Sequence, residues 1–177
     1  MDPQKLLDAL EDFEFDMEAF EEQLDRFIDM FELALAEQKM AEVVKRLEKM
    51  VEEQTAIVKE LIEDENLDMA AMASRERRQE ENFKALEKVL DEAAASMEKL
   101  SSDASQQLSD LAESELTEST SSDLNEARTK MQSQNQSGAS QSAGEASSGL
   151  EEMLEIAQEI QSDFQEDTVD EMLRKFL

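Results

Sequence analysis

Asp64, Asn66 and Asp68 alternate as the first ligands of a calcium loop do. The glycine that turns such a loop and the glutamate that closes it are missing at the required distances, so no calcium site is expected there. Carboxylates are abundant, with 46 Asp and Glu in 177 residues. Acid–base catalysis, however, needs one carboxyl lifted by burial or by a close neighbour. Here most of them lie between the apolar positions, where water keeps them ionised. His and Cys are absent, which removes the usual ligands for zinc and copper and the thiolate nucleophile. No phosphate-binding glycine loop, nucleophile elbow or metal-binding helix motif occurs. The composition therefore points to a non-enzymatic protein without a cofactor.

Four residues remain as candidates for contact with a partner: Phe15, Gln54, Glu76 and Gln79. The last three are polar residues set in otherwise apolar stripes. Such residues fix the register of packed helices at some loss of stability, or they mark a surface that another protein touches. Phe15 lies off its stripe and needs cover, from a third helix or from another protein.

The stripes themselves are regular. Leu6, Leu10, Phe13, Met17, Phe20, Leu24, Phe27 and Phe31 follow at steps of 4 and 3, an unbroken heptad seam flanked by Asp and Glu. A stripe with that period lies along one side of a helix and calls for another helix against it. Asp2 and Pro3 supply an N-cap and a first helical residue, and nothing then breaks the helix before about residue 62. The seam changes phase after Phe31 and resumes at Met40, Val43, Leu47, Met50, Gln54, Ile57 and Leu61, which indicates a stutter or a change of facing partner. Residues 63–68 are polar and offer Asn66 or Asp68 as a new N-cap. A further seam runs Met69, Met72, Glu76, Gln79, Phe83, Leu86, Leu90, Ala93, Met97 and Leu100.

Folding the chain back on itself about residue 65 pairs positions that sum to about 130. Phe83 then meets Leu47, Leu90 meets Met40, and Lys45, Arg46 and Lys49 face Glu80, Glu81 and Glu87. An antiparallel hairpin is expected, with one helix over residues 3–62, a turn at 63–68 and a second helix over 69–125. A single uninterrupted helix is the alternative, since neither Gly nor Pro enforces the turn. Residues 132–149 are almost wholly Gln, Ser, Ala, Gly and Asn and read as a flexible linker. Ser148 to Glu151 and Thr168 to Glu171 read as capping boxes that open a helix over 150–164 and a short end helix. Five of the eight phenylalanines fall within the first 31 residues, more volume than a two-helix seam needs. The expected fold is all-α: an antiparallel coiled-coil helical hairpin with a third helix packing at the Phe-rich end, an elongated three-helix bundle.

With 17 basic and 46 acidic residues the net charge is −29. Such a field repels nucleic acid and anionic lipid surfaces; it reads as a solvated, self-repelling face, as adaptation to a saline milieu, or as a docking surface for a basic partner. No run approaches the roughly 18 apolar residues of a membrane span, so no direct membrane insertion is expected, nor a signal peptide. The function read from these features is a structural or protein-interaction module that works by helix packing. A second copy of the chain is one available partner. An alternative is a holdase-like or lipid-binding protein that opens to expose its Met and Phe faces.

Leu10-Glu-Asp-Phe13-Glu-Phe15, then Phe20, Leu24, Arg26, Phe27, Glu37-Gln38-Lys39-Met40, Leu47 and Gln54 resemble a segment of a family of large bacterial cell-envelope proteins. Those proteins have N-terminal membrane helices and a long Gln-rich coiled-coil region. The resemblance spans residues 6–62 and implies a piece of a larger envelope protein at the periplasmic or cytoplasmic face. It brings no catalytic or binding residues with it.

Overall fold

The computed structural model describes residues 17–64 and 66–176, with side-chain surroundings for residues 19–64 and 66–169. Five helices follow in chain order: α1 (Met17–Glu63), α2 (Met69–Met97), α3 (Ser102–Ala112), α4 (Glu115–Gln132) and α5 (Gln136–Phe176). The chain divides into two units, residues 1–34 and residues 35–177.

In the second unit every limb buries side chains at the same alternation of three and four residues. On α1 these are Ala36, Met40, Val43, Leu47, Met50, Gln54, Ile57 and Leu61. On α2 they are Met72, Glu76, Gln79, Phe83, Leu86, Leu90, Ala93 and Met97. Thr117, Thr120, Leu124, Ala127 and Met131 continue the pattern on α4, and Ala139, Ala143, Ala146, Leu150, Met153, Ala157, Ile160 and Phe164 on α5. Each stripe needs apolar cover, and four stripes turned inward supply it to one another.

The limbs alternate in direction. Lys39 of α1 pairs with Glu92 of α2 at 2.5 Å, and further along Gln54 meets Glu76 at 3.0 Å, so the two helices are antiparallel in the register summing to about 130. Arg128 of α4 bonds Glu80 of α2, while Met131 joins Met72 and Ala73 in the core; α4 thus returns along α2. Lys130 donates to Ser142 at 3.0 Å and Gln136 donates to the Leu61 carbonyl at 2.8 Å, which sets α5 antiparallel to both α4 and α1. α3 packs on α2 and α5, as α4 does, and shares the third limb with it.

Local chemistry places the breaks. Asp68 caps α2 by accepting from the amides of Ala70 and Ala71 at 3.0 and 3.1 Å. Ser101 caps α3 and Ser114 caps α4, each through its hydroxyl. Between α4 and α5 the chain turns over Ser133, Gln134 and Asn135, with Gln134 at φ 58° in the left-handed conformation that ends helices. The Asn135 side chain then accepts from the Gly138 amide at 3.0 Å.

This architecture corrects the three-helix expectation. The chain does not run on from α2 as one helix to residue 125; it reverses after Met97, where the Leu100 and Ser101 amides close on the Met97 carbonyl. Nor are residues 136–149 a linker: they open α5, with Ala139, Ala143 and Ala146 fully buried. Ser148 and Thr168 are not caps but mid-helix residues whose hydroxyls donate back to the carbonyls of Gly144 and Phe164. The helical hairpin of a coiled coil is likewise corrected, because a core that cluster residues from α1, α2, α4 and α5 build together is that of a packed four-limbed bundle.

Gly149 is required by the close approach of α5 to α4. A Cβ there would fall 2.2 Å from the Thr120 hydroxyl oxygen.

Candidate functional site

Gln54 of α1 and Glu76 and Gln79 of α2 come together inside the bundle, with exposures of 0, 0 and 1%. The Gln79 amide donates to the Met50 carbonyl at 2.8 Å and to the Gln54 side-chain oxygen at 3.2 Å. Gln54 in turn donates to Glu76 Oε1 at 3.0 Å and reaches the Ala143 carbonyl of α5 at 3.4 Å. The chain of bonds stops at Glu76: its second oxygen, Oε2, is buried without a hydrogen-bond partner. Burial drives the carboxyl up to about 7, against the Gln54 bond, which favours the ionised form. Glu80 and Glu53 push in the same direction as burial, and Arg75 opposes them.

Arg75 stays outside this layer, bridging two α1 carboxylates: Glu53 at 2.8 Å and Glu60 at 2.8 Å. The cross-helix pairs thus keep the expected register but not the expected partners. Glu53 takes Arg75, whereas Arg46 turns to Glu42 on its own helix and Glu80 is taken by Arg128 of α4.

Three of the four residues expected to meet a partner are therefore assembled, but in the interior. A side chain sealed from water touches no partner while the bundle is closed. The fourth, Phe15, lies outside the described residues. Burial also separates Glu76 from catalytic use, since a general acid or base must reach its substrate. No group of three or more Asp and Glu side chains among the described residues is placed to hold a metal ion.

The second candidate lies on the first part of α1. Phe20 and Leu24 are each 48% exposed, and Phe27 and Phe31 each 65%. Ile28, Met30 and Leu35 are exposed as well. Phe20, Leu24, Phe27, Ile28 and Phe31 stand at steps that put them on one broad stripe of a helix. The expectation that a third helix covers the Phe-rich end is not met at Leu24, Phe27 and Phe31, while Phe13 and Phe15 lie outside the described residues. The apolar residues were legible there; that the chain leaves them open was not, because periodicity announces a need for cover without naming its source.

No family model matches the chain, and neither a curated protein nor a solved structure does. The resemblance to a bacterial cell-envelope family is thereby corrected. The shared residues are those that a heptad period puts at apolar and flanking positions in any such helix, and a bundle of packed limbs is not a long Gln-rich coiled coil. No helix among the described residues is long and apolar enough to cross a membrane.

Proposed function

We propose that the chain is a non-enzymatic interaction module that docks a basic amphipathic helix of another protein along residues 21–31 of α1. The observation that carries this reading is the exposed stripe of Leu24, Phe27, Ile28 and Phe31. Burying one such side chain is worth about 1.5–3 kcal/mol, so a partner helix that covers several of them gains enough to bind. The flanks decide what kind of helix. Glu21, Glu22 and Asp25 line the stripe, with Arg26 paired to Glu22 at 3.7 Å. A second copy of this chain would bring two such acidic borders together, and an anionic lipid surface would be repelled in the same way. Lys and Arg at the flanking positions of the partner complement the border and set its orientation.

The test uses two synthetic helical peptides with one apolar heptad stripe, flanked by Lys in the first and by Glu in the second. Titration calorimetry with the full chain is expected to show binding of the Lys peptide only, weakening as salt rises. Phe27→Asp with Phe31→Asp is expected to abolish it while thermal unfolding of the bundle stays unchanged. No binding of either peptide would overturn the docking reading. Equal binding of the Glu peptide would overturn the choice of a basic partner.

A further inference from the structure

Among the described residues the carboxyl of Glu76 alone has a buried oxygen without a hydrogen-bond partner. It sits on the core stripe of α2, fully enclosed, with one oxygen bonded to Gln54 and the other to nothing. An ionised carboxylate in that position is short of both water and donors. A neutral carboxyl leaves one hydroxyl in search of an acceptor, a far smaller penalty. Proton loss is therefore paid for by the structure around it.

The charged groups facing Glu76 do not relieve the ion. α1 contributes Glu53 and α2 contributes Glu80, both repulsive; Arg75 of α2 attracts but is committed to Glu53 and Glu60. From α4, Arg128 is bound to Glu80, and Lys130 to Glu126 and Ser142. α5 presents the Ala143 carbonyl, while its Glu145 is on the exposed side, bonded to Gln141.

One limb is easier to displace than the rest. The first part of α5 lays only Ala139, Ser142, Ala143, Ala146 and Ser147 on the core before Gly149 and Leu150. Small side chains bury little apolar area, so their removal costs least. The polar bonds that hold this part of α5 to its neighbours (Gln136 to Leu61, Lys130 to Ser142, Thr55 to Ser147) have counterparts in water. Its Ala143 carbonyl lies against Gln54, the donor to Glu76, so releasing this part of α5 opens the polar layer to solvent.

We propose that Gln54, Glu76 and Gln79 form a proton-gated latch, closed when Glu76 is neutral and loosened at residues 136–149 of α5 when Glu76 ionises. The sign follows from linkage. The folded state holds the proton to about pH 7, the unfolded chain only to its ordinary value near 4.3. The stabilising contribution is complete below the unfolded value and is lost as pH rises through the folded one. Across that interval the folding constant falls on the order of a hundredfold from this group alone.

Hydrogen exchange followed by mass spectrometry on the full chain, between pH 5 and 8 and corrected for the intrinsic pH dependence of exchange, reads the latch directly. Protection over residues 136–149 is expected to fall on the alkaline side in the parent and to stay flat in Glu76→Gln, which keeps the shape and the Gln54 bond without the charge. Thermal midpoints of the two proteins are expected to differ most at pH 8, with the variant higher, and to draw together as pH falls to about 4. Carbon-13 NMR of the parent's Glu76 carboxyl supplies a readout independent of any variant, with an inflection near 7. An ordinary carboxylate inflection, or the same loss of protection in parent and variant, would overturn the proposal.

Discussion

Phe20, Leu24, Phe27 and Phe31 step along α1 at intervals of four, three and four residues; Met40, Val43, Leu47 and Met50 step along it at three, four and three. The first four are exposed and the second four are buried. Both sets have the spacing that marks one face of a helix, and the first has the larger side chains. The buried set owes its cover to other limbs of the second unit. Residues 36–61 are met by stripes on α2 and α5 whose apolar positions continue in register, and Lys39 and Glu53 find opposite charges in Glu92 and Arg75. Residues 20–35 carry an almost wholly acidic border in a chain of net charge −29. Hydrophobic period sets the demand for a neighbour; complementary volume and charge decide whether the same polypeptide meets it.

The sharpest contrast is between two phenylalanines. Phe83→Ala in the core of α2, where the ring is 1% exposed, is expected to cost about 3–5 kcal/mol. Phe27→Ala on the open stripe is expected to change stability by less than about 0.5 kcal/mol. Urea unfolding of both variants measures the pair, and similar losses would erase the distinction. The glycines of α5 give a second contrast. Gly149→Ala drives a methyl into Thr120, a stiff side chain whose hydroxyl is already bonded to the Leu116 carbonyl, and is expected to destabilise by about 1–3 kcal/mol. Gly144→Ala meets nothing within 4 Å and is expected to stabilise by about 0.5–1 kcal/mol.

Asp68→Ala removes the acceptor for two amides at the start of α2 and is expected to lower stability by about 1 kcal/mol, read from the denaturation midpoint. The smallest effect belongs to the acidic border. Glu21, Asp25 and Asp29 repel at i, i+4 by a few tenths of a kcal/mol per pair, a cost that salt screens. Raising sodium chloride is expected to slow amide exchange over residues 19–34 and to leave residues 43–61 unchanged.

Much of the bundle was legible in the residues. The turn before Met69, the α1–α2 register and the stripe from Met40 to Leu61 all follow from period and charge. The fourth limb did not, for a physical reason. Between 136 and 149 the period is carried by Ala139, Ala143 and Ala146, whose methyl groups give hardly more contrast with Ser and Gln than a linker would. Continued through Leu150, Met153, Ala157, Ile160 and Phe164, the same steps of four and three declare a helix, and alanine is the best helix former. A linker-like composition thus overlies a helical spacing. Ser148 and Thr168 misled similarly, since a hydroxyl that caps a helix also serves in mid-helix by bonding the preceding turn. The polar layer was visible as Gln54, Glu76 and Gln79 in their stripes. Its enclosure was not, because it depends on the alanine face of α5 closing over it.

Hydrogen exchange at neutral pH and fixed salt, compared between Glu76→Gln peptides covering residues 43–61, 139–157 and 20–34, tests the four-limbed core most directly. Amides of 139–157 are expected to exchange many-fold more slowly than those of an unstructured chain, though faster than those of 43–61, with 20–34 faster than either. Exchange over 139–157 at the rate of an unstructured chain would contradict the bundle, and with it the closed layer at Glu76.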